Sequence, residues 1–214
     1  CALPIYLMAV LSDNIMKRTR GHGRGSWVFS AKDFLDLGNR AAVDQSLSRL
    51  YRDGTLRRVG RGLYDWPRTS SVLGRPAPVD LDAAVAAIAR RDNIRVMPDG
   101  LTAAHRLGLT NAVPAKVVYW TDGSTRAIPV GNRTIHLKHV RPGLIRWAHH
   151  AAAPVVSAMM WLGPSLAADS NMLDRLSQRL PMAVIKDLAD GLSTLPAWAA
   201  PIAREITTPH RIAS

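Results

Sequence analysis

The stretch over residues 27–68, WVFSAKDFLDLGNRAAVDQSLSRLYRDGTLRRVGRGLYDWPR, constrains this chain most, because its caps and glycines leave little choice of element. Ser30 is a good helix N-cap, with Asp33 in the first turn, where a carboxylate suits the helix dipole. Phe34, Leu35 and Leu37 supply an apolar side, and Gly38 a stop. Asn39 then caps a second helix, which runs to Arg52 and ends at Gly54. Val43, Leu47, Leu50 and Tyr51 have the spacing of its buried face.

At roughly 100° per residue, the opposite face carries Ala41, Ala42, Gln45, Ser48, Arg49 and Arg52, with Arg40 at the helix start. Small residues there allow close approach to a partner surface. Gln45 and Arg49, one turn apart, are side chains that make paired hydrogen bonds to base edges in a major groove. Next comes TLRRV, a three-residue loop Gly60-Arg61-Gly62, then LYDW, which reads as a hairpin. If Val59 and Tyr64 point inward, strand parity turns Arg58 outward and leaves Arg61 free at the tip. Helix, tight turn, helix, basic hairpin is the layout of a winged helix-turn-helix. All of it precedes Ser71, so a fragment ending there is expected to fold, with marginal stability.

The segments FSAKDFLDLG, AAVDQSLSRL and GTLRRVGRGLY, in this order, resemble the N-terminal domain of AbiEi-type antitoxins. Those are DNA-binding repressors of bacterial type IV toxin–antitoxin (abortive infection) systems, which serve phage defence; an uncharacterised sister family shares the pattern. The resemblance is close over residues 16–68 and looser to about residue 140. It implies negative autoregulation at an operon promoter through inverted repeats in double-stranded DNA. It also implies a paired nucleotidyltransferase-type toxin, countered without stable contact, and an antitoxin role for residues 79–214.

Charge agrees with a polyanionic partner. The 214 residues carry a net charge of +12 and a pI near 11.0. Residues 1–70 hold 12 Lys/Arg against 6 Asp, a net +6 in a third of the chain. Cys1 is the one cysteine, so no disulfide framework or thiolate metal site exists, which fits a reducing cytoplasm. Residues 1–11 are apolar but lack a basic leader and are too short to span a bilayer, so no membrane partner is expected. With Cys1 in first place, we expect the natural start at Met8 or Met16 and treat residues 1–15 as an extension with a first helix.

Met8, Leu11 and Ile15 share one face of that helix, which should run to about Thr19. Arg20-Gly-His-Gly-Arg24-Gly follows. Its glycine spacing suggests a phosphate cradle, but no strand precedes it and no helix follows. It reads as a flexible connector or, through Arg20 and Arg24, as a basic arm against the DNA backbone. Residues 27–29 read as a short strand pairing with the wing. The winged domain is therefore set at residues 16–70, and a Ser-, Gly- and Pro-rich linker at 71–79.

Residues 80–214 read as a mixed α+β domain, giving the chain an α+β class. An alanine-rich helix starts at Asp80 or Asp82, then come a strand at 94–97, a helix at 101–107 closed by Gly108, and a strand at 117–121. Strands at 127–130 and 134–140 flank the turn dipeptide Gly131-Asn132. Beyond Pro142, prolines punctuate short helices.

Catalytic and metal signals are weak. His136 and His139 are three apart on an expected strand and face opposite sides, and His149-His150 are adjacent. Glu205 is the only glutamate, and no G-x-S-x-G elbow is present. No enzyme activity, cofactor or metal is expected. Trp120, Trp147, Trp161 and Trp198 read as packing residues. The expected DNA contacts are Arg20, Arg24, Arg40, Ala41, Gln45, Ser48, Arg49, Arg52, Arg58 and Arg61. The competing readings are a protein-interaction adaptor whose winged helix does not bind DNA, and a nuclease, which the missing acidic cluster disfavours.

Overall fold

The computed structural model describes residues 3–71 and 74–208, with side chains from Ala9 onward. Residues 1 and 2 of the expected extension, the side chain of Met8, and residues 72 and 73 of the expected linker lie outside that range. Helix α1 spans Leu3–Gly21, two residues beyond the expected end, so Arg20 belongs to its last turn and not to the glycine loop. Strand β1, Val28–Phe29, follows. Ser30 then closes a capping box: its Oγ accepts from the Lys32 N–H at 3.3 Å, and its own N–H donates to Asp33 Oδ2 at 2.8 Å.

The element so capped is a single 3-10 turn, Ala31–Phe34, shorter than the helix expected up to Gly38. Ala31 and Phe34 are its buried residues, Phe34 in an edge-to-face contact with Phe29 at 5.3 Å. Leu35 is 44% exposed, and Asp36 is held by Arg18 of α1. One aromatic anchor without an apolar stripe supports one turn.

Helix α2, Arg40–Arg52, is capped by Asn39, whose side-chain oxygen accepts from the Ala42 N–H at 2.9 Å. Its buried stripe is Val43, Ser46, Leu47 and Leu50, so Ser46 stands where Tyr51 was expected, and Tyr51 is 46% exposed. These residues pack with Leu11, Ile15 and Met16 of α1, with Phe29 and Phe34, and with Leu56.

Strands β2, Arg57–Gly60, and β3, Leu63–Asp65, pair antiparallel around an Arg61-Gly62 turn with Gly62 left-handed at φ 66. The three-stranded order is β1-β3-β2. Phe29 lies opposite Tyr64, and Tyr64 opposite Arg58. Arg58 and Tyr64 therefore share a face, against the parity expected from the sequence. Val59, next along, alternates to the opposite face and is buried, and the register is irregular between Arg58 and Gly60. Val28, Leu63 and Asp65 are buried on the other face of the sheet.

Helix α3, Leu81–Asp92, is N-capped by Asp80 and buries Ala84, Val85, Ala87 and Ile88. It packs on β1, β3 and the 3-10 turn. Arg90 donates from Nε to Asp33 Oδ1 at 2.7 Å and from Nη2 to the Val28 carbonyl at 2.9 Å. Arg91 Nη1 donates to the Arg61 carbonyl at 2.7 Å. The chain divides into one compact unit of Cys1–Ile94 with Ala127–Ile135, and a second of Arg95–Arg126 with His136–Ser214. The division does not fall at 71–79; α3 counts with the first unit because it covers a sheet face that would otherwise meet water.

The remaining elements are β4 (Val96–Pro98), α4 (Gly100–Arg106), β5 (Val117–Thr121), β6 (Arg126–Val130), β7 (Arg133–His139), α5 (Pro142–Ile145), a 3-10 turn (Arg146–His149), α6 (Ala153–Ala167), α7 (Ser170–Arg179), α8 (Met182–Asp190), a 3-10 turn (Leu192–Thr194) and α9 (Ala199–Thr207). A four-stranded sheet runs β4-β5-β7-β6. In the second unit, Trp147, Ile145, Val155, Val156, Met159, Leu188 and Ile202 belong to one core, against which Trp120 and Trp198 are partly buried. Trp161 instead is 44% exposed. Helices α4 and α6 touch closely: a Cβ on Gly100 would come within 2.3 Å of Trp161 Cβ. Gly163, at φ 74, kinks α6 ahead of Pro164. The class is α+β, and among the described residues no helix is long and apolar enough to cross a membrane.

Candidate nucleic-acid interface

The outer face of α2 is built by its cap and stripe together. Burying Val43, Ser46, Leu47 and Leu50 leaves Arg40, Ala41, Gln45 and Arg49 exposed, Ser48 half-buried and Arg52 exposed at the end. Two carboxylates share that face. Arg40 Nε meets Asp44 Oδ2 at 2.7 Å, and Arg49 Nε lies 3.8 Å from Asp53 Oδ2. Both are solvent-exposed i,i+4 pairs, each worth about 0.3–0.5 kcal/mol, weak enough to exchange for a phosphate. Arg52 Nη2 donates to Ser48 Oγ at 3.1 Å.

Arg58 and Arg61 are exposed on the hairpin, and Arg58 Nε reaches only the Gly60 carbonyl, at 3.4 Å. The hairpin backbone is braced twice. The Val59 carbonyl accepts from the Gly131 N–H at 2.7 Å, and the Arg61 carbonyl accepts from Arg91. An open groove of about 550 Å³ lies between Arg58, Gly60 and Arg61 on one bank and Ile128, Pro129 and Gly131 on the other.

Arg20 is exposed on the last turn of α1. Arg24 does not sit on a free arm: its guanidinium lies 4.3 Å from the Trp66 ring centroid, and the Gly25 N–H donates to the Trp66 carbonyl at 2.7 Å. His22 stacks on Trp27 at 4.0 Å, so the loop is packed and not a loose connector. Ring contacts available to His22 and Arg24 from Trp27 and Trp66 explain the difference.

Sequence reading missed several functional or structural groups. Arg57 is tied to buried Asp65, Nε to Oδ1 at 3.0 Å, and to the Ala77 carbonyl at 2.8 Å. Residues 57 and 65 are equidistant from Arg61, a signal that the pairing was there to find. In the second unit, His150 Nδ1 lies 2.7 Å from Asp187 Oδ1 beside a cavity of about 180 Å³ lined by Arg146, Trp147 and Thr194. Burial pulls the Asp187 carboxyl up, but hydrogen bonds from the Ala152 N–H and from His150 outweigh it and hold the group below its ordinary range. That pair pins α8 to the segment entering α6. His136 and His139 lie on β7 three residues apart, and His139 Nδ1 is 3.0 Å from the Gly123 carbonyl. Among the described residues no group of three or more His, Cys, Asp or Glu converges.

These features define a two-unit α+β protein whose N-terminal unit presents an arginine-bearing helix face beside a basic hairpin. The chain belongs to the family of unknown function DUF6088, whose profile matches residues 14–188. No curated protein and no solved structure matches it.

Proposed function

We propose that residues 16–70 form a winged helix-turn-helix and that the protein is a DNA-binding transcriptional repressor and antitoxin of a type IV toxin–antitoxin system, acting in the cytoplasm on its own operon. In this reading α2 enters the major groove, with Gln45 and Arg49 on base edges and Arg40, Ser48 and Arg52 on flanking phosphates. Ala41 lets the helix approach closely. Arg58 and Arg61 grip the backbone or minor groove, and Arg20 reaches an adjacent phosphate.

One observation carries the reading. Asp33, Asp36, Asp44, Asp53, Asp65 and Asp92 each have an arginine partner, whereas exposed Arg20, Arg58 and Arg61 face none of them. Six acids of this unit are tied to internal arginine pairs, and Arg20, Arg58 and Arg61 are left exposed. The resemblance to AbiEi-type antitoxins supports inverted repeats as the target and a nucleotidyltransferase-type toxin as functional partner without stable contact.

The test is binding to a promoter duplex across salt concentrations. Neutralising roughly 6 phosphates gives a slope of log K against log salt of about −5. An isotherm indifferent to salt would sink the proposal. A second reading, a protein-interaction adaptor, is favoured by a separate groove in the second unit, about 370 Å³, lined by Leu109, Trp161, Leu162, Leu166 and Met172.

A further inference from the structure

The glycine-rich loop between α1 and β1 does more than connect them. Its residues Arg24, Gly25 and Ser26 form one wall of a cleft of about 330 Å³, and Arg57, Arg68, Ala77, Pro78 and Asp80 complete it. We infer that this cleft seats a phosphate group, held by the guanidiniums of Arg24 and Arg68 with the Ser26 hydroxyl as a further donor.

Four observations converge on it. First, the charges are unequal. Three guanidiniums meet two carboxylates, and both carboxylates are committed: Asp65 to Arg57, and Asp80 to the first turn of α3, its Oδ1 accepting from the Asp82 and Ala83 N–H groups at 2.9 and 3.1 Å. No carboxylate pairs with Arg24 or Arg68 among the described residues. Second, Arg24 is already oriented, its guanidinium stacked over Trp66, so little rotamer entropy is lost when an anion arrives. Third, Arg57 makes the wall rigid, because it holds both Asp65 and the Ala77 carbonyl across the cleft. Fourth, the loop can close only with glycine at 25. Its φ is +74, and a Cβ there would stand 3.1 Å from Arg68 Cβ. One guanidinium already oriented and a second, exposed one across the Gly25 contact, with a hydroxyl beside them, match the oxygens of a phosphate.

The shared chemistry is a phosphate oxyanion, and it has two possible sources: the backbone of a nucleic acid or a phosphate-bearing small molecule. The experiment is calorimetric titration of the full chain with inorganic pyrophosphate at about 0.3 M salt, where the Debye length of roughly 6 Å suppresses diffuse attraction. Saturable one-to-one binding is expected. Arg68→Ala and Arg24→Ala should each weaken it about 10-fold, the loss of a charge-assisted hydrogen bond, while Arg24→Lys retains part of it. Lys32→Ala removes the same charge outside the cleft and should change nothing. Absence of saturable binding, or equal loss in the Lys32 variant, overturns the inference.

Adding duplex DNA to the pyrophosphate complex then distinguishes the sources. One-for-one displacement assigns the seat to a backbone phosphate; simultaneous binding assigns it to a small molecule. Pyrophosphate binding without duplex binding keeps the cleft and removes the repressor reading. Duplex binding without pyrophosphate binding does the reverse.

Discussion

Asp65 is almost fully buried, its side chain 2% exposed, and the guanidinium of Arg57 is what makes that tolerable. Removing one partner of a buried pair leaves an uncompensated charge, so Arg57→Ala should cost about 3 kcal/mol or more. Arg58→Ala, one residue on and exposed, should change stability by no more than about 0.5 kcal/mol. Urea unfolding of the two variants measures the contrast, and duplex titration should rank them in the opposite way, with Arg58→Ala the cleaner binding defect. Equal stability losses would mean that the hairpin's two arginines are misassigned. Acid behaviour follows from other carboxylates. The hydrogen bond from Arg18 lowers Asp36; burial raises Asp122, and its hydrogen bonds from Arg95 outweigh that, as happens at Asp187. Folded values below the unfolded ones mean that these groups stabilise the fold above about pH 4, and that the contribution fades as pH falls through their folded values. Melting temperature should therefore drop on acidification below about pH 4, and Asp122→Asn should flatten the drop. A drop unchanged in slope would remove Asp122 from the account. Local signals made some of this legible: Ser30, Asn39, Asp80 and Gly62 act as their residue types suggest. The His150–Asp187 contact spans 37 residues, and no periodicity or spacing encodes such a pair.

At the scale of elements, α3 is the part that sequence alone misplaced. Its apolar stripe, Ala84, Val85, Ala87 and Ile88, says that one face is buried but not against what. The Pro- and Gly-rich segment before it reads as a boundary, yet such composition only shows that the chain leaves the sheet. Arg90 and Arg91 settle where the helix sits, through Asp33, the Val28 carbonyl and the Arg61 carbonyl. A fragment ending at Ser71 loses Val85 and Ile88 and uncovers Val28 and Leu63. At about 1.5–3 kcal/mol for each buried aliphatic side chain, the loss rivals the whole stability of a small domain. That fragment is now expected to fail to fold cooperatively, as circular dichroism melts would show. In the full chain, Arg90→Ala should speed amide exchange at Val28 and in the capped turn. A sharp two-state melt of the short fragment would make α3 dispensable. The 3-10 turn was misjudged in length for a related reason: Leu35 and Leu37 look like a stripe, but Leu35 is 44% exposed and Leu37 only partly buried against the core that Phe34 enters.

On the scale of the whole molecule, the two compact units carry surfaces of different chemistry. The first exposes Arg20, Arg58 and Arg61, which have no acid partner among the described residues; the second exposes Trp161 and Leu166, 44% and 61% accessible, around an apolar groove. A protein target of the proposed antitoxin activity is expected to use the second surface, since its apolar groove suits a protein while charge steers polyanions to the first. The proposed functions should then separate genetically. In the full chain, Trp161→Ser with Leu166→Ser should leave duplex affinity within about twofold, because neither is among the proposed DNA contacts. The same double variant should fail to protect cells that express the cognate toxin when both genes run from unrelated promoters. Arg58→Ala with Arg61→Ala should show the mirror pattern, with promoter binding weakened and growth protected. Thermal melts of both double variants exclude unfolding as the cause: all four positions are exposed, so losses beyond about 1 kcal/mol are not expected. If the groove variant still protects while the arginine variant does not, neutralisation itself runs through nucleic-acid binding. The second unit would then serve the first, and the division of labour proposed from the sequence would be reversed.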